Sequence, residues 1–192
     1  MSLLEAYHVA PKRILEIGCS NGWRLDLLRK RYGATCVGVE PSLAAIRDGR
    51  KRYPQVKIHR GVASALPLKG AFDLVLVPFV LHWVARERLL QSISEIDRVL
   101  SDNGLLLISD FAPDFPTRVH YHHLAHDEVY TFKLDYAQIF SSTAMYATVG
   151  RLAFDHDEHR LGVDVSGPKR GVSTLLRKSY KDFLLEQQRA SS

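Results

Sequence analysis

The sequence lacks any apolar run long enough to cross a lipid bilayer. A membrane-spanning helix needs about 18 or more consecutive apolar residues, and no such run occurs in the 192 residues. The N-terminus also lacks the basic segment followed by an apolar stretch that is typical of a secretory signal. We therefore expect no membrane partner and a cytoplasmic location.

Cysteine is scarce, with only Cys19 and Cys36 in the chain. Their separation matches no zinc or redox motif, so we expect reduced thiols. A zinc site built from histidines is the alternative, because His122 and His126 would share one face of a helix and neighbouring acidic residues could complete a ligand set. No recognised metal-ligand spacing is present, however, and we expect no metal cofactor.

Lysine and arginine do not gather into a stripe along the sequence. The formal net charge is +5, but the basic residues are scattered over predicted helix faces. A nucleic-acid surface would need them clustered on one face together with stacking aromatic side chains. We therefore do not expect a nucleic-acid partner, and the sequence does not determine the oligomeric state.

Strand and helix patterns alternate along the whole chain, without a repeat or a low-complexity linker. Strands are predicted at residues 12–17, 35–40, 56–60, 72–77 and 105–109. Two more extended segments, 145–154 and 172–178, are separated by a loop with Gly and Pro that suits an antiparallel return at a sheet edge. The alternation predicts an α/β fold with a parallel sheet and helices on both faces. A composition of 46% hydrophobic and 24% charged residues is typical of one globular domain.

The stretch from Ile14 to Gly22 is the most informative part of the sequence. An apolar strand runs into a glycine turn, and the small residues of such a turn let backbone N–H groups approach a ligand. A second short strand ends at Glu40, a carboxylate suited to a ribose diol. A dinucleotide site would have a third glycine where this chain has Trp23, so nicotinamide binding is disfavoured. The pattern favours another nucleotide-type cofactor, and the alternative is a buried strand, a glycine turn and a surface glutamate with no ligand.

Residues 16–22, Glu-Ile-Gly-Cys-Ser-Asn-Gly, resemble the acidic-x-Gly-x-Gly-x-Gly loop of class I S-adenosylmethionine-dependent methyltransferases, with Ser20 in place of the central glycine. Three later segments, 61–68, 72–84 and 96–106, resemble the small type 11 group of that family in the same order. The resemblance implies a Rossmann-like seven-stranded sheet, mostly parallel with helices on both faces and with its last strand antiparallel. It also implies S-adenosylmethionine as the methyl donor.

The resemblance further implies a cofactor site around the glycine loop and at the ends of the following strands. The candidate cofactor-binding residues are Glu16, Gly18, Cys19, Ser20, Asn21, Gly22, Glu40, Pro41, Ser42, Val62, Ala63, Ser64, Val77 and Pro78. Val62 departs from the family, which usually places an aspartate there for the adenine amino group. Adenine would then be held by backbone groups of Ala63, by the Ser64 hydroxyl, or less tightly. Ser20 costs some room but adds a hydroxyl donor that could reach the methionine carboxylate.

Catalytic residues are harder to identify than the cofactor site. Methyl transfer is an in-line displacement at a sulfonium carbon, so alignment supplies much of the rate and no signature base is obligatory. An acceptor hydroxyl would need a base, whereas an amine need only be neutral. His82 follows the fourth strand, where the crevice of such a sheet opens, and is the candidate base. The alternative is that His82 only packs beside Trp83.

The segment after the fourth strand also excludes two reaction types. Residues 77–80, Val-Pro-Phe-Val, do not form the Asn/Asp-Pro-Pro-aromatic motif with which amino-nucleobase methyltransferases hold an exocyclic nitrogen. They also offer no carboxylate for the magnesium site of catechol-type enzymes. Metal-dependent methylation is therefore not expected.

The segment from 113 to 140 is far longer than a plain strand-to-strand connection, and long loops in compact domains are usually functional. We expect a substrate-covering insertion at about 112–144 within a single domain of residues 1–192. His122 and His123 in this insertion are further candidate catalytic residues. The candidate substrate-binding residues are Phe79, His82, Tyr121, His122, His123, Lys133 and Tyr136. The alternative is that the polar residues of the insertion only face solvent.

Three functions are compatible with these features. The first is methylation of oxygen or nitrogen on a polar small molecule, such as a sugar derivative or a carboxylate. The second is an RNA or protein methyltransferase with an open substrate face, which a basic surface continuous with the cofactor crevice would favour. The third is a cofactor-binding protein without methyl-transfer activity, which Val62 keeps open.

Overall fold

The computed structural model describes residues 2–120, 129–158, 160–162 and 165–180. The helices are α1 (Ser2–Ala6), α2 (Trp23–Tyr32), α3 (Leu43–Arg52), α4 (Arg86–Val99) and α5 (Ala137–Ser141), and a 3₁₀ turn spans Leu81–Trp83. The strands are β1 (Arg13–Ile17), β2 (Thr35–Glu40), β3 (Lys57–Arg60), β4 (Phe72–Pro78), β5 (Leu100–Phe111), β6 (Thr117–His120), β7 (Tyr130–Lys133), β8 (Tyr146–Asp155) and β9 (Arg170–Lys178). In these ranges, no helix is long and apolar enough to span a membrane.

The main sheet has the strand order β3-β2-β1-β4-β5-β9-β8. Strands β1 to β5 pair in parallel, whereas β9 runs antiparallel between β5 and β8. This arrangement confirms the predicted fold class of a mostly parallel seven-stranded sheet whose last strand is antiparallel. The strand order reverses at β1, because β2 and β3 lie on one side of it and β4 and β5 lie on the other. The carboxyl ends of β1 and β4 therefore border a crevice that suits a ligand.

The sheet is buried on both faces, which explains why its central strands read as continuous apolar runs. Leu15 and Ile17 of β1 pack into the core on one face, and Ile14 packs into the core on the other. Each such side chain contributes about 1.5–3 kcal/mol when it leaves water. Glu16 lies between them in β1 and is also buried, on the face covered by α2.

Local chemistry sets one end of each of the helices α2 and α3. Helix α2 ends at Gly33, whose φ of 63° is left-handed and whose N–H donates to the Arg29 carbonyl at 2.9 Å. Helix α3 begins after Ser42, whose side chain accepts a hydrogen bond from the Ala45 N–H at 3.3 Å. Residue chemistry therefore accounts for the end of α2 and for the start of α3.

The segment after β5 contains regular structure that the sequence patterns did not predict. Strands β6 and β7 form an antiparallel pair in which Thr117 lies opposite Lys133 and His120 lies opposite Tyr130. Four-residue strands carry little periodic signal of their own, because their stability comes from pairing. The predicted residues Tyr121, His122, His123 and His126 lie outside the described residues.

Helix α3 rests directly on the glycine loop at residues 18–22. A Cβ atom built on Gly49 would lie 2.4 Å from the backbone oxygen of Asn21 and 2.8 Å from Cδ1 of Ile58. No rotamer change relieves a clash with a backbone atom, so either the helix or the loop would have to move. The absence of a side chain at Gly49 thus fixes the distance between α3 and the loop.

We therefore expect Gly49→Ala to destabilise the protein by about 1–3 kcal/mol, the usual cost of overpacking. At an unobstructed site in a helix the same change stabilises by about 0.5–1 kcal/mol, so the sign of the effect is diagnostic. Urea unfolding measures it, with Lys51→Ala on the exposed face of the same helix as the control. A Gly49→Ala protein as stable as the parent would show that α3 does not press on the loop.

Candidate active site

The glycine loop after β1 needs glycine at two positions because of its backbone conformation. Gly18 has φ 70° and Gly22 has φ 80°, both in the left-handed region that favours glycine. Ser20 has φ 51° and carries strain of about 1–2 kcal/mol, which its neighbours must offset. The Gly18 N–H donates to the Val39 carbonyl at 2.8 Å, which ties the loop to the end of β2.

Glu40 connects this loop to the turn that follows β2. One of its carboxylate oxygens accepts the Ser20 N–H and the other accepts the Ser42 N–H, both at 2.9 Å. A carboxylate oxygen can accept more than one hydrogen bond, so Glu40 keeps acceptor capacity for the hydroxyls of a ligand. Its carboxylate therefore positions two loops and also lines the cleft between them.

A cleft of about 550 Å³ opens at the carboxyl ends of β1, β2 and β4, and we call it the first cleft. Seven of the predicted site residues line it: Gly18, Glu40, Pro41, Val62, Ala63, Ser64 and Phe79. The sequence interpretation missed the opposite wall, which is formed by Val80, Trp83, Val84, Ala85, Arg88 and Ser92. These residues lie between the end of β4 and the first turns of α4, and their only sequence signal is their position after a central strand.

Two other residues of the glycine loop, Cys19 and Asn21, pack against neighbouring elements. Cys19 is buried against Gly38, where its sulfur lies 2.3 Å from the position of an added Cβ. Burial raises the pKa of the Cys19 thiol well above its usual range, so the thiol is unreactive. The Asn21 amide donates to Asp48 of α3 at 2.8 Å. Neither side chain lines the first cleft.

The other predicted cofactor residues lie around the cleft rather than on its surface. Ser42 caps α3, Val77 is fully buried in the core, and Pro78 borders a smaller cavity behind Phe79. Ser20 is exposed, and Gly22 is packed against Ile58. Their roles in cofactor binding stay predictions, since none of them lines the first cleft.

Glu16 is a buried carboxylate that does not line the first cleft. It is 2% exposed, and one of its oxygens forms an ion pair with Arg24 of α2 at 2.5 Å, while the other has no hydrogen-bond partner. Burial raises the pKa of Glu16 from 4.5 to about 7, against the opposing effect of the Arg24 guanidinium. Glu16 thus forms a buried ion pair with Arg24, and its role as a cofactor ligand stays a prediction.

A second cleft of about 530 Å³ adjoins the first, and Phe79 and Trp83 line both. Its other lining residues are His82, Phe111, Val119, His120, Thr131, Lys133, His156, Asp157 and Lys169. Strands β6 and β7 supply four of them, so the insertion after β5 forms one wall. Of the predicted substrate residues, Phe79, His82 and Lys133 lie here.

His82 forms a buried pair with Asp110 at the end of β5. Its Nδ1 lies 2.7 Å from an Asp110 oxygen, and the two side chains are about 5% and 3% exposed. Asp110 also accepts the backbone N–H groups of Leu81, His82 and Phe111 at 3.1, 3.3 and 2.8 Å. An ionised carboxylate can only accept, so Nδ1 carries the proton and Nε2 is the basic nitrogen.

Sequence reasoning missed Asp110, although one signal was present. Asp110 follows an apolar strand directly, and the carboxyl ends of neighbouring parallel strands lie side by side. The pairing of β4 with β5 brings Asp110 next to the turn that carries His82, 28 residues away in sequence. His82 also packs beside Trp83, with ring centroids 5.2 Å apart, so its predicted packing role and its candidate catalytic role coexist.

Tyr136 lies in the core and lines neither cleft, so its role in substrate binding stays a prediction. Its hydroxyl donates to the Phe132 carbonyl and accepts from Arg86 at 3.0 Å. Arg86 also donates to the carbonyls of Leu81 and Val84, at 3.2 and 2.6 Å. This network fastens the insertion to the turn that carries His82. Burial raises the pKa of Tyr136 to about 12, so its hydroxyl stays neutral.

Among the described ranges, no group of three or more His, Cys, Asp or Glu side chains is arranged to hold a metal ion.

A parallel sheet with a glycine loop after β1, a carboxylate after β2 and a cleft between them defines the class of Rossmann-like cofactor-binding proteins. A family model described as a methyltransferase domain matches residues 15–108. Residues 15–108 belong to the class I S-adenosylmethionine-dependent methyltransferases, in the type 11 group. This match confirms the predicted family and the predicted cofactor.

Two relatives illustrate the similarity in sequence. Malonyl-[acyl-carrier protein] O-methyltransferase of Legionella pneumophila is 32% identical over 119 residues, which are 58% of this chain and 40% of that protein. Trans-aconitate 2-methyltransferase of an Acidovorax species is 32% identical over 108 residues, 55% of this chain and 41% of that protein. The chain thus spans less than half the length of these two curated relatives.

A solved structure illustrates the similarity in fold. The 1,6-didemethyltoxoflavin-N1-methyltransferase of Burkholderia thailandensis, with bound 1,6-didemethyltoxoflavin and S-adenosylhomocysteine, has a TM-score of 0.71 and 15% identity. The match covers 93% of this chain and 76% of that one. At this level of identity the likeness concerns the fold alone.

We expect Glu40→Ala to weaken the binding of S-adenosylhomocysteine by about 10-fold or more, since it removes a charged acceptor worth about 1.5–3 kcal/mol. Isothermal titration calorimetry measures the effect. Glu87→Ala, at an exposed position of α4 outside both clefts, is the matched control. Equal affinity in Glu40→Ala and the parent would place the cofactor elsewhere.

Glu16 predicts a pH dependence of stability. Because its pKa is higher in the folded state than the ordinary 4.5, the folded protein binds this proton more tightly, and stability falls as pH rises from 4.5 to about 7. The loss is up to about 3 kcal/mol. Glu16→Gln, which is always neutral, should remove this part of the pH dependence in urea unfolding at about pH 5 and pH 8, whereas exposed Glu87→Gln should not. Parallel pH profiles in Glu16→Gln and the parent would contradict the assignment.

Proposed function

We propose that this chain transfers the methyl group of S-adenosylmethionine to an oxygen or nitrogen of a polar small molecule bound in the second cleft. The observation that carries the proposal is the buried His82–Asp110 pair, because its histidine lines a cleft that adjoins the first cleft at Phe79 and Trp83. A base held beside the meeting point of two clefts suits a reaction between two bound molecules.

The residues of the first cleft fit S-adenosylmethionine. Its volume of about 550 Å³ lies in the usual range for small-molecule sites, about 300–1000 Å³. Glu40 has acceptor capacity for ribose hydroxyls, and a Cβ on Gly18 would come within 2.4 Å of Val80, so the loop backbone lies close against the cleft wall. Val62 and Trp83 are 48% and 45% exposed and offer apolar surface to adenine, with Ser64 as a polar partner.

The cofactor, when bound, supplies an electrophilic methyl group on a sulfonium centre. The chain's own residues align the acceptor and handle its proton. Nε2 of His82 accepts the proton of an acceptor hydroxyl or ammonium group, and the Asp110 carboxylate stabilises the imidazolium that results. Phe79 and Phe111, whose ring centroids are 5.4 Å apart, provide an apolar surface that limits water at the reacting groups.

Three further observations support a small-molecule acceptor. The strands β6 and β7 form one wall of the second cleft, which supports the proposal that the insertion covers the acceptor. One of the relatives, trans-aconitate 2-methyltransferase, takes its name from a small organic acid. The basic residues around the second cleft, Lys133 and Lys169, line a concave pocket rather than a flat surface of the kind an RNA duplex would contact.

Transfer of a radiolabelled methyl group identifies the acceptor class directly. The protein is incubated with S-adenosylmethionine labelled in its methyl group and with separate small-molecule, RNA and protein fractions of a cell extract. We expect label in the small-molecule fraction. Label in RNA or protein instead would favour a macromolecular substrate, and bound cofactor without any transfer would favour a binding protein without methyl-transfer activity.

With the acceptor identified, we expect His82→Gln to lower kcat by about 100- to 10,000-fold, the usual contribution of a general base. Asp110→Asn should lower kcat as well, because an amide no longer accepts the Nδ1 proton in the same way. The affinity for S-adenosylhomocysteine should stay within about twofold of the parent.

Two readouts distinguish catalysis from packing in these variants. The acidic limb of the pH–kcat profile should be present in the parent and absent in His82→Gln, since that limb reports protonation of the base. His59→Gln serves as the control, because His59 lies in β3 and lines neither cleft. A profile in His82→Gln with the same acidic limb as the parent would rule out His82 as the base.

A further inference from the structure

We infer that the second cleft selects an acidic acceptor whose anionic group pairs with the ammonium of Lys133, while a separate hydroxyl or amine of the same molecule is methylated beside His82. The inference rests on the proposed function, because it specifies the molecule that occupies the second cleft. It is carried by the environment of Lys133 and by the charges of the cleft wall.

Lys133 is half-buried at the end of β7, and its ammonium group has weak partners. Its Nζ lies 3.7 Å from the centroid of the Phe111 ring and 3.5 Å from the Pro168 carbonyl oxygen, the outer limit of a hydrogen bond. Within the described parts of the chain, it forms no ion pair with a carboxylate. Burial lowers the pKa of Lys133, so an anion that reached it would relieve an unfavourable environment.

The carboxylates nearest to Lys133 are already engaged by other groups. Asp110 accepts three backbone N–H groups and the His82 ring, as described above. Asp157 forms ion pairs with Lys169 and with His156, the latter at 3.1 Å. Hydrogen bonding to Lys169 and His156 lowers the pKa of Asp157 to about 2. Both carboxylates raise the pKa of Lys133 only through space, so neither replaces a direct partner.

The rest of the wall suits an anion on an apolar or aromatic body. Lys169 and the imidazoles of His120 and His156 line the same cleft, where Asp157 is the only carboxylate among the described lining residues. The Phe79 and Phe111 rings form its apolar floor, and His156 packs against Phe111 with centroids 4.8 Å apart. A cationic acceptor would meet like charge at Lys133 without a matching carboxylate.

The positions of Lys133 and His82 separate recognition from reaction. Both contact Phe111, with the Lys133 ammonium over its face and the His82 ring edge-on at a centroid distance of 5.2 Å. An oxygen that is ion-paired to an ammonium group is a poor nucleophile, because its lone pairs are stabilised. The anionic group therefore serves for binding, and the methylated atom belongs to a second group that lies near His82.

A matched pair of probes tests this inference without knowledge of the natural acceptor. The 4-fluorobenzoate ion and neutral 4-fluorobenzamide have nearly the same shape, and ¹⁹F NMR detects the binding of both. The titrations use protein saturated with S-adenosylhomocysteine, so that the first cleft is filled. In the parent protein we expect the benzoate to bind at least about 10-fold more tightly than the amide, the usual gain of a charge-assisted hydrogen bond.

Substitution of Lys133 should remove this preference. Lys133→Met and Lys133→Gln should each lower benzoate affinity to that of the amide, while Lys133→Arg should keep it within about threefold. Lys69→Met, at an exposed position outside both clefts, is the control and should match the parent. Circular dichroism confirms that each variant is folded.

The outcomes separate this inference from the proposed function. Equal binding of benzoate and amide by the parent, or a benzoate preference that persists in Lys133→Met and Lys133→Gln, would overturn the assignment of Lys133. Failure of S-adenosylhomocysteine to bind at all would instead overturn the proposed function. Lys133→Met and Lys133→Gln test the same assignment, so either variant suffices if the other fails to fold.

Discussion

The carboxylate of Glu40 holds together the two turns on which the first cleft depends. It accepts one N–H from the glycine loop after β1 and one from the turn after β2. Helix α3 starts at that second turn and rests on the loop backbone at Gly49. Loop, helix and carboxylate thus fix one another, and a cleft built in this way is formed before any ligand arrives. Preorganisation of this kind reduces the ordering cost of binding.

Local patterns predicted the parts of the fold that local chemistry decides. The apolar runs of β1 and β4 lie where the sequence patterns predicted them, and α3 and α2 are capped by residue types that favour those positions, Ser42 and Gly33. Strands β6 and β7 were not predictable in the same way, because a four-residue strand depends on a partner that only the folded chain supplies.

The candidate site shows the same contrast. The positions of its loops were predictable from the sequence, whereas the partners of its side chains were not. Gly18 and Glu40 follow from the glycine loop and the strand after it, residues 62–64 follow from the family resemblance, and all of them line the first cleft. Glu16 fits that pattern equally well, yet Arg24 of α2 holds it away from the cleft. The pairing of Asp110 with His82 depends on the register between β4 and β5, which no local sequence signal specifies. Residues that act through long-range pairs therefore require the structure.

Phe79 borders both clefts and the smaller cavity behind them, with its backbone at a left-handed φ of 53°. A phenylalanine in this conformation costs about 1–2 kcal/mol relative to glycine. The packing of its ring against Phe111, Phe154 and two histidines offsets that cost. A glycine would relax the backbone but would remove the ring that borders both clefts, so the backbone strain at Phe79 accompanies a wall that the two clefts share.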